Sequence, residues 1–511
     1  RRSGPAEGQV LFVEHGRQAT VVVARGGGRR DLIVDGDPEA STAGSALRTE
    51  RLLALLPLLL HPNPETLLEV GLGSGITLGT AARFPLERLD CVEISASVLR
   101  AAVLFAPDNG GVASGSDPRV RILRGDARAF LATRKEAYDV ILANTLHPWS
   151  VGATGLYSRE YFLRLAGALR PAGIAAQWLP LQRIGSDSVR AILHTFFQVF
   201  PHGGLWWGAG NLILLGSDSP LPRPDPQRMR TRLEAVGIDL GRWGLGDEAE
   251  LASRQIAGAE AVRLELVGEA VLSDDRPVLE VRAAARRTAG VASDPLLVVV
   301  RIAEARAPGG ASAGWMRLWL ESLAARRAGQ EERADHREAL AEAGGLGFVR
   351  RERARRLVDR AGRDLAAGRF DEASRRLQLA LGDDPTQRDA RFGRVGLALK
   401  QGNENLARRE LELLLLAHPN DAEAWNQLGA LHHEAGDAEA AVEAFQEALR
   451  ADPYFPDALA NAGLLALRRG DSGAAVALLE RLRAISPLGP TPGERALADA
   501  LRGRGTSARS E

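Results

Sequence analysis

The sequence has a single cysteine, no net charge and no long apolar run, and each shortage excludes a class of protein. With only Cys91 among 511 residues, an internal disulfide and a multi-cysteine zinc site are excluded. Neither an HExxH pair nor an EF-hand loop is present, so we expect no metal. Lys plus Arg equals Asp plus Glu at 65 each. No overall field therefore favours an anionic membrane or nucleic acid, and we expect no nucleic-acid partner.

Apolar runs are also short. The longest, residues 52–60, falls far below the roughly 20 residues that span a bilayer, and Pro57 interrupts it. We expect a cytoplasmic protein, or one at the cytoplasmic face of a membrane if a membrane segment precedes Arg1.

Beyond residue 47 the apolar pattern alternates between helical stretches and short runs typical of strands. A helix is predicted at 47–60, and strands are predicted at 66–70, 88–93, 120–123, 138–143, 173–178 and 211–215, with a short closing strand at 278–281. Such alternation is typical of a mostly parallel, Rossmann-like α/β sheet covered by helices. Residues 9–36 indicate a small β-hairpin region, either a hairpin or a meander, with turns at Gly26–Gly27–Gly28 and Asp35–Gly36.

The C-terminal third carries a repeat of 34 residues. Three residue types keep this register, namely Gly at 368, 402, 436 and 470, Ala at 373, 407, 441 and 475, and Pro at 385, 419, 453 and 487. The period is that of the tetratricopeptide (TPR) repeat, an all-α solenoid of helix pairs. Each Gly suits the turn within a pair, and each Pro ends a helix because it lacks an amide donor.

These patterns predict five segments. They are a β-hairpin region with the first helix at 1–62, a Rossmann-like domain at 63–290, a helical connector at 291–355, four TPR repeats at 356–487, and a cap helix with a tail at 488–511. The functional interpretation of the repeats is a concave surface for a protein or peptide partner. The alternative is that they only form a homodimer or pack on the α/β domain.

A candidate nucleoside site follows the first two core strands. The turn Gly71–Leu72–Gly73–Ser74–Gly75 lies between a strand and a helix, where glycines bring backbone amides close to a ligand. Glu93 ends the next strand, 18 residues after Gly75, and can accept hydrogen bonds from a ribose. Asp126 follows the third strand, where it suits an adenine contact or an ordinary helix N-cap. The order favours an S-adenosyl nucleoside over NAD.

Several motifs come in the order found in the polyamine aminopropyltransferase (spermidine and spermine synthase) family, which the sequence resembles over roughly residues 9–285. The motifs are Asp35–Gly36, Arg48–Thr49–Glu50, the glycine turn, Glu93, Asn109–Gly110–Gly111, Asp117–Pro118, Asp126, and Pro148 before Leu156–Tyr157. It looks most like the bacterial branch fused to other modules. The resemblance implies decarboxylated S-adenosylmethionine as cosubstrate, a small amine as acceptor, and substrate-binding positions at Glu39, Glu50 and Tyr157.

The sequence departs from this family at the positions that carry the chemistry. The family's loop reads Asp-x-x-Asp-Pro, whereas this chain has Asn144 at the base position and His147 at the amine-binding position. A diamine carries two charges, and a close ion pair near a surface is worth on the order of 4 kcal/mol, which Asn cannot supply. Ser74 stands where the family has Asp and Glu39 where it has Gln. The choice between decarboxylated S-adenosylmethionine and S-adenosylmethionine therefore stays open.

Three hypotheses follow from these departures. The first is an aminopropyltransferase-like enzyme with an acceptor altered from a simple diamine, in which Asn144 and His147 position the nucleophile. The second is an inactive nucleoside-binding pseudoenzyme that serves the TPR scaffold. The third is a methyltransferase that uses S-adenosylmethionine.

Overall fold

The chain forms two compact units. The computed structural model describes residues 9–26, 29–115, 117–145, 147–150, 152–289, 294–304, 311–343, 348–484 and 491–507. The repeat unit comprises the described residues within 1–15, 20–38 and 350–511. The α/β unit comprises those within 16–19 and 39–349. Gly27 and Gly28 of the first predicted turn, and Pro487 of the repeat register, lie outside the described residues.

The N-terminal strands form an antiparallel sheet in the order β1-β2-β3-β4, which is the meander of the two predicted alternatives. They are β1 (Gln9–His15), β2 (Thr20–Gly26), β3 (Arg29–Val34) and β4 (Asp37–Ser41). Asp35 and Gly36 join β3 to β4 with φ of 51° and 85°. Two consecutive positive φ values are those of a type I′ hairpin turn, for which Asp-Gly is a favoured sequence.

The α/β unit alternates strands with helices, as the sequence predicts. Its elements are α1 (Gly44–Leu60), β5 (Thr66–Val70), α2 (Ile76–Ala81), β6 (Arg88–Glu93), α3 (Ala96–Ala102), α4 (Ala106–Asn109), β7 (Val120–Arg124), α5 (Ala127–Ala132), β8 (Tyr138–Ala143), α6 (Arg159–Ala168), β9 (Leu169–Pro180), α7 (Ser186–Val199), β10 (His202–Trp207), β11 (Asn211–Ser217), α8 (Pro226–Ala235), α9 (Glu248–Ser253), β12 (Gln255–Gly258), α10 (Ala259–Glu265), α11 (Val278–Ala289), α12 (Leu296–Glu304), α13 (Ala311–Arg327) and α14 (Glu331–Ala343). Short 3₁₀ turns lie at Val103–Phe105, Val112–Ser114 and Ala153–Leu156.

The eight strands β5 to β12 form one mixed sheet in the order β12-β10-β11-β9-β8-β5-β6-β7. The part from β9 to β7 is parallel, and β10, β11 and β12 extend it antiparallel. The chain runs outward from β5 to β6 and β7, then returns to place β8 on the other side of β5. Such a reversal opens a crevice at the carboxyl ends of β5 and β8, where ligands bind in open α/β sheets.

Apolar side chains cover both faces of this sheet. One buried cluster joins β5, β8 and β9 to α6 and α7 through residues such as Tyr161, Phe162 and Phe196. The other joins the same sheet to α1 and α2 through Leu55, Leu59 and Leu78 and their neighbours. The runs on β5 and β8 are buried along their whole length. Strands buried on both faces are typical of parallel sheets covered by helices.

The predicted strand at 278–281 is wrong, because these residues begin helix α11. In a strand Leu279 and Val281 would point to the same face. In the structure Leu279 is 2% exposed and Val281 is 62% exposed. A short run of apolar residues is compatible with the period of a strand or that of a helix, and tertiary packing favours the helix here.

The predicted connector at 291–355 is not a free-standing element. Helices α12, α13 and α14 fall within the α/β unit. Val299, Trp319 and Phe348 are buried in the same cluster as the sheet residues. These helices therefore extend the core of the α/β unit.

The repeat region is a series of antiparallel helices. They are α15 (Phe348–Ala366), α16 (Phe370–Asp383), α17 (Arg388–Lys400), α18 (Glu404–Ala417), α19 (Ala422–Glu434), α20 (Ala438–Ala451), α21 (Pro456–Arg468), α22 (Ser472–Ala484) and α23 (Pro492–Ser507). The register glycines Gly368, Gly402, Gly436 and Gly470 have φ between 68° and 88°. The turn position that repeats every 34 residues is thus left-handed, which explains the choice of glycine.

Helix α23 begins with the capping pattern seen in the sequence. Thr491 precedes Pro492, and its Oγ1 accepts a hydrogen bond from the Glu494 amide at 3.0 Å. This bond satisfies one of the free amides at the start of the helix. Leu497 of α23 is buried in a cluster with Leu467 and Leu479 of the preceding helices.

Two arginines of the N-terminal sheet bind an aspartate of the repeats within the repeat unit. Asp452, at the end of α20, lies 2.5 Å from Arg30 Nη1 and 3.1 Å from Arg25 Nη1. The Arg25 guanidinium also lies 3.6 Å from the centre of the Phe455 ring. All three charged side chains are nearly inaccessible to solvent. Residues far apart in sequence therefore share one buried charged cluster.

The search for membrane-spanning segments gave none. Among the residues described, no helix combines the length and the apolar character needed to cross a bilayer.

Candidate functional site

The glycine turn after β5 lies against the loop that follows β8. Gly71 has a φ of 84°, and its amide donates to the Val92 carbonyl at 3.0 Å. A Cβ atom at Gly71 would lie 2.4 Å from the Asn144 carbonyl oxygen, closer than packed atoms allow. Gly71 is therefore required twice, for its left-handed backbone and for this close approach. The turn and Asn144 meet at the crevice between β5 and β8.

Glu93 faces the glycine turn from the end of β6. Its carboxylate accepts hydrogen bonds from the Leu72 amide at 2.9 Å and from the Ser95 amide at 2.7 Å. Burial raises the pKa of Glu93, and these backbone amides oppose that rise because they stabilise the charged form. The structure thus brings together Gly71, Gly73 and Glu93, the pieces that the sequence predicts as a nucleoside site.

Two further carboxylates lie in the core beneath the turn. Glu50 of α1 accepts a hydrogen bond from Ser74 Oγ at 2.5 Å, and burial raises the pKa of Glu50 to about 8. Glu69 of β5 is completely buried, and both of its oxygens lack a hydrogen-bond partner among the described residues. Burial, with smaller contributions from Glu50 and Glu93, raises its pKa well above the ordinary range. Burial therefore favours the uncharged form of Glu69, and an approaching cation would favour the charged form.

Asn109 holds the turn from the opposite side, a role that the sequence analysis did not assign. Its Nδ2 donates to the Ser74 carbonyl at 2.9 Å and to the Ala102 carbonyl at 3.0 Å. The Asn109 side chain is buried. The Asn109–Gly110–Gly111 motif is the sequence signal that could have predicted this role. Holding a turn is the obvious use of a buried side-chain amide next to glycines.

The loop after β8 places His147 against a carboxylate and two indole rings. His147 Nδ1 lies 2.9 Å from Glu39 Oε1 of β4. The imidazole stacks on Trp149 with ring centres 4.4 Å apart and meets the edge of Trp178 at 5.2 Å. His147 is buried, and Leu146 beside it lies outside the described residues. Glu39, which the sequence predicts to bind substrate, has His147 as its neighbour. Trp178 of β9 was not predicted as a site residue, because no local sequence pattern indicates this role.

Tyr157 and Asp126 are engaged within the protein. Tyr157 is completely buried, and its hydroxyl lies 3.3 Å from Thr145 Oγ1. Burial raises the pKa of Tyr157 above its usual range, so the phenol stays neutral. Asp126 caps helix α5 by accepting from the amides of Arg128 and Ala129 at 2.7 and 3.2 Å. The N-cap interpretation of Asp126 describes these contacts.

A search of the described residues for metal ligands gave no group of three or more His, Cys, Asp or Glu side chains that could hold an ion.

Two family models match the chain. Residues 47–203 match the spermine/spermidine synthase domain, and residues 364–431 and 432–490 match the tetratricopeptide repeat. The chain therefore has a domain similar to the spermine/spermidine synthase domain, followed by a region similar to TPR repeats. The synthase match includes the glycine turn, Glu93, Asn144 and His147, whereas Glu39 lies before it.

Curated relatives resemble the same part of the chain. The polyamine aminopropyltransferase of Desulforudis audaxviator is 28% identical over 181 residues, which are 35% of this chain and 64% of the relative. The putrescine N-methyltransferase 2 of Nicotiana tabacum is 34% identical over 33% of this chain and 47% of the relative. The spermidine synthase of Dictyostelium discoideum is 30% identical over 34% of this chain and 59% of the relative. The chain thus spans about half to under two thirds of these relatives.

Solved structures resemble the chain more distantly. The spermidine synthase from Thermotoga maritima has a TM-score of 0.37 and 19% sequence identity, and the match covers 43% of this chain and 77% of that chain.

Proposed function

We propose that the synthase domain binds an S-adenosyl nucleoside at the glycine turn and transfers an alkyl group from it to an acceptor at the loop after β8. The observation that carries the proposal is the Glu93 carboxylate, held at the Leu72 amide of the turn at 2.9 Å. A ribose lying across the ends of β5 and β6 would donate its hydroxyls to this carboxylate. The acceptor loop lies beside the turn, since Asn144 contacts Gly71.

The buried carboxylates bear on the choice of cosubstrate. The place of the family's turn aspartate is taken by Ser74, which donates to Glu50. A carboxyl group is therefore still present one hydrogen bond away from the turn, and Glu69 supplies another in the core. Both gain a favourable partner when a sulfonium or ammonium group approaches, because an adjacent cation lowers a carboxyl pKa. We favour decarboxylated S-adenosylmethionine with an acceptor altered from a simple diamine.

Methyl transfer from S-adenosylmethionine is the second candidate. It is favoured by the likeness to a putrescine N-methyltransferase at 34% identity. The third hypothesis, a nucleoside-binding pseudoenzyme, predicts binding without any product.

Calorimetry with decarboxylated S-adenosylmethionine and with S-adenosylmethionine, followed by identification of the products, tests the proposal. Replacing Glu93 with Gln should weaken nucleoside binding by ~10-fold to ~100-fold, since a hydrogen bond to a charged group contributes about 1.5–3 kcal/mol. Glu87→Gln is the matched control, because Glu87 is exposed just before β6. Methylthioadenosine as product supports aminopropyl transfer, and S-adenosylhomocysteine supports methyl transfer. Equal binding by wild type and Glu93→Gln would contradict the placement of the ribose.

We further propose that the TPR repeats bind a peptide carrying apolar and basic residues. A groove of about 420 Å³ lies between α17 and α19. Apolar side chains line it together with more acidic than basic groups; the residues are Arg388, Asp389, Phe392, Val395, Gly396, Leu399, Glu423, Gln427, Ala430, Leu431 and Glu434. Arg388 is already paired with Asp421 at 2.5 Å and with Glu423 at 2.9 Å. The charge left for a partner is therefore negative.

Fluorescence anisotropy with paired short peptides, alike except for Arg or Glu beside a leucine, tests the charge preference. We expect the Arg peptide to bind more tightly than the Glu peptide. The Glu434→Gln variant should reduce the difference between the two affinities. Equal binding of both peptides would contradict the assignment.

A further inference from the structure

We propose that His147 and Glu39 form a general-base dyad that replaces the carboxylates missing from the loop after β8. His147 would be the catalytic residue that takes a proton from the acceptor, and Glu39 the positioning residue that fixes its ring. The acceptor class would be a monoamine with an apolar body. The inference rests on the proposed function, because the dyad needs an alkyl donor at the adjacent turn.

The first support is the geometry of the imidazole. Nδ1 of His147 lies 2.9 Å from Glu39 Oε1, so a proton on Nδ1 is donated to the carboxylate. The structure gives Nε2 no hydrogen bond from any residue that it describes. A carboxylate on one nitrogen selects the tautomer in which the other accepts a proton. Trp149 stacks on the ring and Trp178 meets it edge-on, so its orientation is fixed on two sides.

The second support is the position of the dyad. Asn144 and His147 lie in the same loop, and Asn144 contacts Gly71 of the nucleoside turn. An acceptor at this loop thus reaches both the imidazole and the ligand of the turn. Asn144 cannot take a proton, whereas a neutral imidazole can.

The chemistry that this arrangement would perform balances without a further reactant. His147 Nε2 removes a proton from the acceptor's ammonium group and leaves a neutral amine. The amine nitrogen then forms a bond to the carbon next to the donor's sulfonium sulfur. The carbon–sulfur bond breaks, its electron pair goes to sulfur, and a neutral thioether leaves. Glu39 stabilises the imidazolium that results, because it lies against the protonated ring.

The same residues argue against a second ammonium group on the acceptor. The acceptor loop has no carboxylate of its own, and Glu39 is already paired with His147. The Arg183 guanidinium lies 5.1 Å from the Trp149 ring centre, so the aromatic wall already carries a positive charge. Once His147 is protonated, its imidazolium ring adds a further positive charge to the site. Trp149 and Trp178 instead offer apolar surface to a carbon chain.

Product formation from n-butylamine and from 1,4-diaminobutane tests the acceptor class, since the two differ only by one ammonium group. We expect kcat/KM for n-butylamine to exceed that for the diamine by about 10-fold or more. His147→Ala should lower kcat by ~10²–10⁴-fold, the usual contribution of a general base, with nucleoside binding unchanged. Added imidazole should restore activity to His147→Ala. His15→Ala is the control, because His15 is exposed and should keep full activity.

Glu39 is tested by variants that separate positioning from folding. Glu39→Gln should lower kcat more than it changes KM for the amine, and Glu39→Asp should recover part of the loss. Nitrogen NMR of labelled histidines should show the Nδ1–H tautomer for the resonance that disappears in His147→Ala, and this tautomer should be lost in Glu39→Gln. The chain has 9 histidines, so the assignment by difference is practical.

The outcomes separate this inference from the proposed function. Loss of kcat with rescue by imidazole supports the dyad. Nucleoside binding with a His147→Ala variant as active as wild type overturns the dyad and leaves nucleoside binding standing. Nucleoside binding without transfer to either amine, an Nε2–H tautomer, or a preference for the diamine also overturns it. Absence of nucleoside binding overturns both.

Discussion

Buried charged groups have different surroundings in the ion-paired clusters of the repeat unit and beneath the glycine turn of the α/β unit. In the repeat unit Asp452 meets Arg25 and Arg30, and Glu410 meets Arg391 and Arg394. In the α/β unit, among the described residues, no group forms a hydrogen bond with the buried Glu69 carboxyl group, and Glu50 has one oxygen bonded to Ser74 and the other without a partner. Buried charge is costly unless it is paired. The ion pairs of the repeat unit therefore stabilise the charged form of their carboxylates, whereas burial favours the uncharged form of the two carboxyl groups beneath the glycine turn.

The difference matters because pKa values shifted by burial occur at functional sites more often than elsewhere. Glu50 and Glu69 lie beneath the turn that carries Ser74 and faces Glu93. The unpaired carboxyl groups and the candidate nucleoside site thus coincide. Ion-paired arginines in the repeats need no ligand, since each already has its partner.

The largest effect is expected from breaking the paired cluster of the repeat unit. Asp452→Ala removes the carboxylate from two buried guanidinium groups and should lower the free energy of unfolding by about 3–5 kcal/mol. Chemical denaturation followed by circular dichroism measures the change. Asp31→Ala is the control, because its partner Arg29 is largely exposed, and should cost ~1 kcal/mol or less. Equal costs for both variants would show that the buried ion pairs of Asp452 contribute no more to stability than the exposed pair of Asp31.

A second effect should appear in the pH dependence of stability. Burial raises the pKa of Glu50 from 4.5 to about 8, so the folded protein keeps a proton that the unfolded chain releases. Its contribution to stability is therefore full below the unfolded pKa and is lost as pH rises through about 8. Glu50→Gln should flatten this decline and recover a few kcal/mol at alkaline pH.

Urea denaturation at several pH values measures this decline, with the exposed Glu87→Gln as control. A decline as steep in Glu50→Gln as in wild type would show that Glu50 is not the group responsible. A saturating sulfonium nucleoside should reduce the decline in the wild type, if a cation pairs with these carboxyl groups.

The smallest effect is expected from Ser74. Ser74→Ala removes the hydrogen bond that Ser74 donates to the Glu50 carboxyl group and should cost about 1–2 kcal/mol, because a buried acceptor is left without its donor. The exposed Ser114→Ala is the comparison and should cost less. If both substitutions lower the free energy of unfolding by the same amount, the hydrogen bond between Ser74 and Glu50 does not specifically stabilise the turn.

Local sequence signals predicted most of the secondary structure of the α/β unit. The runs at 66–70, 88–93 and 138–143 became buried strands with those bounds. The 34-residue register predicted the helix pairs, since each unit repeats the same left-handed glycine turn. The strand predicted at 278–281 was wrong because a short apolar run fits both the period of a strand and that of a helix, and only packing against its neighbours decides between them.

The candidate site likewise has a part that the sequence could predict and a part that it could not. The glycine turn and Glu93 could be predicted because strand ends that are adjacent in a parallel sheet bring their following residues together. That Trp178 flanks His147 and that Glu39 pairs with its ring could not, because 108 residues separate Glu39 from His147 and no local pattern encodes a contact at that distance.

By itself, the sequence determined the alternation of strands and helices, the repeat and the loss of both loop carboxylates, because these are properties of residue type and spacing. The tertiary structure alone decided which charges are paired. It placed Arg25 and Arg30 on Asp452, set Glu39 against His147, and gave the Glu69 carboxyl group no hydrogen-bond partner within the described part of the chain. Whether a buried charge is stabilised depends on what lies within a few ångströms, and only the folded chain fixes those distances.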